Sequence, residues 1–165
     1  VQANTTDQVL LNWDAIKRKT KGDASGDASR ASLLRNLPAT LPALMRAAKV
    51  QTRAKRAGFD WPEVSGAFQA LTDETRELQE AMQQNDPAAI QEELGDLLFS
   101  AVNVSRFVDV DAEQALTAST DKFIRRFEQM EQLAIARGLD MDNATLEEWD
   151  ALWNEVKQTE RSAAE

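Results

Sequence analysis

Ile90-Gln-Glu-Glu-Leu-Gly-Asp-Leu-Leu-Phe-Ser-Ala-Val-Asn-Val104 reads as one helix with unequal sides. On a helical wheel Ile90, Leu94, Leu97, Leu98 and Ala101 fill one broad face, and Phe99 and Val102 cover much of the rest. Glu93, Asp96, Ser100 and Asn103 form a narrow polar stripe with apolar neighbours on both sides. A helix apolar nearly all round is expected to be buried, and carboxylates on it then need a partner. Just before it stands Asn85-Asp-Pro87. Asn ends one helix, Asp caps the next, and Pro opens it. A turn this short makes the two helices antiparallel neighbours. The earlier helix carries Glu74 and Glu77, spaced i, i+3 like Glu93 and Asp96. That spacing sets each pair on one side of its helix, about one turn apart. Glu74 lies at the edge of the apolar stripe Val64, Phe68, Leu71, Leu78 and Met82, with Glu77 one step further out. The two acidic pairs lie at similar distances from the turn and are expected to face each other.

Working outward, the pattern is helical throughout. Pro42 suits the first turn of a helix that Gly58 ends, and Asp60 is expected to cap the next, with Pro62 in its first turn. Val108-Asp-Val-Asp111 reads as a turn, followed by a long helix from about Ala112 to Arg137 that Gly138 closes. Thr145 and Glu148 have the spacing of a capping box, opening a last helix to about Gln158. Toward the N-terminus, Thr5 and Gln8 repeat that spacing ahead of a helix over about Thr6–Thr20, and Lys21–Arg30 is a polar linker by composition. The expected organisation is an N-terminal helix and linker over 1–36, a main domain over 37–160 and a frayed tail over 161–165. The expected fold is an all-α antiparallel helical bundle, completed by dimerisation because several helices are apolar on more than one face.

Composition narrows the chemistry. The chain has no cysteine and no histidine, which removes disulfides, thiol nucleophiles, the usual Cys/His zinc sites and Ser-His-Asp catalysis. An enzyme built from it must use carboxylates, Lys, Arg, hydroxyls or a hard metal. With 28 acidic residues against 19 basic, the net charge of −9 makes it a poor general binder of nucleic-acid backbone. No apolar run approaches the roughly 18–20 residues needed to span a bilayer, and a cytoplasmic location is expected.

So many acids produce chance i, i+3 pairs, and the usual reading of one pair is a solvated helix face. The setting of these pairs argues for more. Two like charges about 4 Å apart cost about 4 kcal/mol at an effective dielectric near 20. Protonation, salt bridges to Arg or Lys, or a divalent cation must relieve that. An all-oxygen donor set selects a hard ion, for which Mg²⁺ fits best.

At these residues the chain resembles a known family. Glu74-Thr-Arg-Glu77 followed by Glu92-Glu-Leu-Gly-Asp-Leu-Leu-Phe99 is similar to the metal-binding signature of the MazG nucleoside triphosphate pyrophosphohydrolases. Leu41-Pro-Ala-Leu-Met-Arg46, Gly58-Phe-Asp-Trp-Pro62, Asp121-Lys-Phe-Ile-Arg-Arg-Phe127 and Leu146-Glu-Glu-Trp-Asp-Ala-Leu-Trp153 strengthen the match. With Asp7–Lys17, the chain resembles the C-terminal half of a two-repeat member. The resemblance implies an all-α fold, a homodimer, and Mg²⁺-dependent cleavage of nucleoside triphosphates to monophosphate and pyrophosphate, with Mn²⁺ as a substitute ion and a broad, housecleaning range. It implies Glu74, Glu77, Glu93 and Asp96 as metal ligands and catalytic acids. Lys122 and Arg126 match triphosphate-contacting positions, and Trp153 and Lys157 match nucleotide-contacting ones. Asp73 stands where many members carry Glu.

Without the resemblance, Lys122 and Arg126 are a basic helix edge or partners for nearby acids, and Trp153 is core. Trp61 divides evenly between core and base pocket. Lys49, Arg53 and Lys55 read as surface residues. The rival expectation is a non-catalytic nucleotide-binding or oligomerisation module.

Overall fold

The computed structural model describes residues 34 and 37–164, so the expected N-terminal helix, its capping box and the linker lie outside the described residues. Every regular element among the described residues is an α-helix. In chain order they are α1 (Ala43–Arg56), α2 (Val64–Gln84), α3 (Pro87–Phe107), α4 (Ala112–Ala136) and α5 (Leu146–Ala164). Two compact units divide the chain, one ending at Glu113 and the other starting at Gln114. No described helix is long and apolar enough to cross a membrane.

In the first unit α2 and α3 make the most extensive helix contact, and α1 packs on α3. Two residues join α2 to α3. Asn85 adopts the left-handed conformation, φ 53°, which its short polar side chain tolerates. Asp86 accepts from the Ala88 and Ala89 amides at 3.0 and 3.3 Å, satisfying two donors that the first helical turn leaves free. Gly58, at φ 89°, ends α1, and the Phe59 amide reaches the Ala54 carbonyl at 3.0 Å.

The start of α2 departs from expectation. Its N-cap is Glu63, which makes no side-chain capping bond. Asp60 does not cap the helix, because both its carboxylate oxygens are bonded to the largely buried guanidinium of Arg106, with Lys55 3.6 Å away. A paired charge inside the fold outweighs a cap at the surface.

α3 also differs from its reading. Ser100 is buried and Val102 is 1% exposed, whereas Leu94 and Leu98 stay 45% and 50% exposed. Much of the polar stripe faces α1 and α2, while Leu94, Leu98 and Ala101 of the broad apolar face stay exposed and Ile90 and Leu97 are half-buried. Small residues allow this. Ala67 and Ala81 of α2 are buried, so short side chains line the α2 packing surface.

In the second unit Met130 and Ala134 of α4 pack on Leu152 and Val156 of α5, with Leu133, Leu139, Met141, Trp149 and Trp153 around them. The capping box forms as read. Glu148 accepts from the Thr145 amide at 2.8 Å, and the Glu148 amide donates to the Thr145 hydroxyl at 3.3 Å. The helix then continues past the expected end at Gln158 to Ala164.

Asp86→Ala should lower unfolding stability by about 1 kcal/mol in urea melts, with Glu63→Ala close to neutral. Equal losses from both would show that the two caps contribute alike.

Candidate active site

The α2–α3 turn brings three of the four sequence-selected acids together. One carboxylate oxygen from each of Glu74, Glu77 and Glu93 lies within 4.8 Å of the others. Glu74 and Glu93 are half-buried, while the Glu77 side chain is 45% exposed. Asp96 is exposed beside this group rather than within it. Burial, then the charge of Asp96, then those of Glu77, Glu93 and Asp73 raise the Glu74 carboxyl above its ordinary range. Burial, then Glu77, Asp96 and Glu92 do the same to Glu93. Among the described residues one ion pair touches the four, Arg76–Glu77 at 3.4 Å, and Arg76 sits closer to Glu80 at 2.7 Å. The acids are therefore not neutralised by built-in salt bridges.

The donor set fits a hard divalent cation. Oxygens on opposite sides of an ion held at about 2.1 Å stand about 4.2 Å apart, so small side-chain movements close this group around one.

Beside the acids lies a cavity of about 390 Å³, with Gln51, Phe59, Trp61, Glu74, Phe99 and Arg106 among its lining residues. Glu74 thus belongs both to the acidic group and to the cavity wall. Trp61 is half-buried and rests on Gly66, where an added Cβ would meet the indole at 2.7 Å. Only the bare Cα of glycine admits that approach. A larger groove of about 480 Å³, lined by Met45, Lys49, Asp109 and Glu113 among others, contains none of the four acids. Chemistry rather than size selects the smaller cavity.

The remaining sequence-selected residues lie in the second unit. Arg126 pairs with Glu160 at 2.7 Å, and its guanidinium stands 5.7 Å from the Trp153 ring. Trp153 packs against Phe123 at 5.3 Å. Lys122 is exposed and Lys157 half-buried. Sequence reading missed Gln51 and Arg106. A polar residue between Val50 and Ala54 on a helix that must pack was the available signal for Gln51.

Residues 63–130 match the MazG nucleotide pyrophosphohydrolase domain. The chain is 39% identical over 145 residues to the nucleoside triphosphate pyrophosphohydrolase/pyrophosphatase MazG of Thermotoga maritima, covering 88% of this chain and 54% of that protein. The chain belongs to the MazG family. It is 37% identical over 162 residues to the nucleoside triphosphate pyrophosphohydrolase of Escherichia coli K12, covering 96% of this chain and 59% of that one. An uncharacterised Bacillus subtilis protein, YabN, is 41% identical over 165 residues, 32% of its own length. The chain therefore spans about half the length, or less, of the curated relatives it matches. Within the MazG domain proper lie all four acids, Lys122 and Arg126.

The raised carboxyls fix the sign of a pH effect. The native state holds protons that the unfolded chain has released, so this contribution is fully present below the ordinary glutamate range. It is lost as pH rises through the raised values. In EDTA, Glu74→Gln should melt roughly 2–4 °C above the parent at neutral pH, with the gap closing in acid. A gap that is constant with pH would remove mutual repulsion as its cause.

Proposed function

We propose that this chain hydrolyses nucleoside triphosphates to the monophosphate and pyrophosphate with Mg²⁺, held by Glu74, Glu77, Glu93 and Asp96. The observation that carries this reading is the convergence of three carboxylate oxygens within 4.8 Å inside a MazG domain, with little internal charge compensation. The names of the Thermotoga and Escherichia relatives support the substrate class. A bound Mg²⁺ supplies neutralising charge for phosphate oxygens and lowers the pKa of a water, and Mn²⁺ can substitute.

The protein's own part is positioning and proton transfer. Glu77, with the most exposed side chain of the converging three, accepts at a carboxylate oxygen the proton of the attacking water. The water oxygen bonds to one phosphorus of the α–β bridge, the bond from that phosphorus to the bridging oxygen breaks, and the substrate separates into monophosphate and pyrophosphate. We assign Lys122, Arg126, Trp153 and Lys157 to substrate by motif position. Arg126 must exchange Glu160 for phosphate to do so. The reading extends to a broad housecleaning range in the cytoplasm. The reading includes a homodimer, supported by the exposed Leu94 and Leu98, since apolar surface of this kind favours a partner.

With Mg²⁺, the protein should release pyrophosphate from nucleoside triphosphates, and EDTA should stop it. Glu93→Gln and Asp96→Asn should each lower the rate roughly 100-fold or more while circular-dichroism melts stay cooperative. Full activity in both variants would sink the site assignment, and tight nucleotide binding without turnover would favour a non-catalytic module. Sedimentation should give a dimer, converted to monomer by Leu98→Glu.

A further inference from the structure

Among the described residues two ion pairs tie the α4 segment to α5, and they differ in setting. Arg137 Nη2 donates to both carboxylate oxygens of Glu155, at 2.7 and 2.8 Å, and the two side chains stay 52% and 42% exposed. Arg126 Nε donates to Glu160 Oε2 at 2.7 Å, and here the side chains are only 21% and 30% exposed. The Arg126 guanidinium also stands 5.7 Å from the Trp153 ring, which packs on Phe123. Trp153 and Glu160 lie two turns apart on one side of α5. Arg126 is therefore held at two points, an aromatic ring and a carboxylate. Solvent screens this pair less than it screens the Arg137 pair. Lys122, one turn before Arg126, and Lys157, one turn before Glu160, bring two more cations to the same helices.

We infer that Glu160 is a positioning residue that acts through Arg126, as a tethered competitor for the phosphate that Arg126 binds. Without substrate, its carboxylate keeps the guanidinium charge paired and close to Trp153. A phosphate held bidentately along the same Nε edge displaces that carboxylate. Glu160 then opposes binding twice. Its bond to Arg126 is lost, and its freed charge stands beside the incoming anion in partly buried surroundings, where like charges repel more than in water. After cleavage the same carboxylate retakes Arg126 and weakens the hold on pyrophosphate. The competition acts on phosphate alone, so it shifts affinity for every nucleoside triphosphate by the same factor and leaves the choice of base untouched. The inference rests on the assignment of Arg126 to the triphosphate made above.

The test uses the full chain with Mg²⁺ and three probes: the four nucleoside triphosphates, an α,β-methylene nucleoside triphosphate that cannot be cleaved at the α–β bridge, and inorganic pyrophosphate. Glu160→Gln keeps the side-chain length and removes the charge. It should lower KM for all four triphosphates roughly three- to ten-fold, with kcat within about two-fold. Calorimetry should show the same factor in Kd for the methylene analogue, and inhibition by pyrophosphate should tighten alike. Glu160→Asp, which keeps the charge, should stay nearer the parent. Glu155→Gln opens the other pair between the same helices and should leave all three readouts unchanged. In an Arg126→Gln background, adding Glu160→Gln should change analogue binding less than about two-fold, because the effect runs through the guanidinium. If Glu160→Gln misfolds, Glu160→Met carries the same comparison. Unchanged or weaker analogue binding by the folded variant overturns the inference. Equal tightening by Glu155→Gln also overturns it, since that marks a general loss of negative charge. Turnover whose KM ignores Arg126→Gln overturns it too, while leaving hydrolysis in place. Analogue binding that tightens in Glu160→Gln in a protein releasing no pyrophosphate would instead sink the hydrolytic reading and leave the competition standing.

Discussion

The two-residue join at Asn85 and Asp86 is the constraint on which the rest depends. One residue stops α2 by turning left-handed, and the next starts α3 by taking two backbone amides onto its carboxylate. With both events fixed, the phase between the helices is fixed as well. Each residue added inside α3 ahead of Glu93 would rotate that acid by about 100°. Glu93 would then leave Glu74 and Glu77 and point away from α2. The convergence of the acids is thus a matter of helical phase, set at a distance by two backbone amides and one positive φ.

That arrangement puts charge where a helix pair would ordinarily bury hydrocarbon. α3 turns much of its polar stripe toward its neighbours and leaves Leu94 and Leu98 outside. Folding and chemistry compete for the same inner face. Small residues and a second anchor reconcile them. Ala67 and Ala81 let the helices approach, and the Asp60–Arg106 pair ties the segment between α1 and α2 to the far end of α3. A paired charge of this kind does little for net stability against a hydrophobic substitute, but removing either partner would strand the other in a dry place. It secures the Trp61 segment at a defined position.

Much of this was legible in the chain. Periodicity with Asn85, Gly58, Gly138 and the Thr145–Glu148 box located the helices, because those residues act through their own backbone neighbours. The acidic pairs were legible for the same reason, as i, i+3 spacing and a short turn are local facts. Asp60 was misread because its partner lies far away in sequence, and a surface cap and a buried ion pair look identical in a linear pattern. Burial of α3 on nearly every side was expected; its polar stripe does turn inward, but Leu94 and Leu98 stay exposed. A helical wheel ranks faces by hydrocarbon, whereas close packing here depends on side-chain size. Gln51 gave only a faint signal, a polar residue among apolar ones. Its amide donates to the Phe99 carbonyl, a partner 48 residues away along the chain.

Gly66 bears on the shape of the cavity beside the acids. The Trp61 indole rests on its bare Cα, with no space for even a methyl group. A one-carbon change on the outer side of the ring would therefore shift an aromatic wall without altering any polar atom inside. The position of that wall is thus set by a residue that does not itself line the cavity.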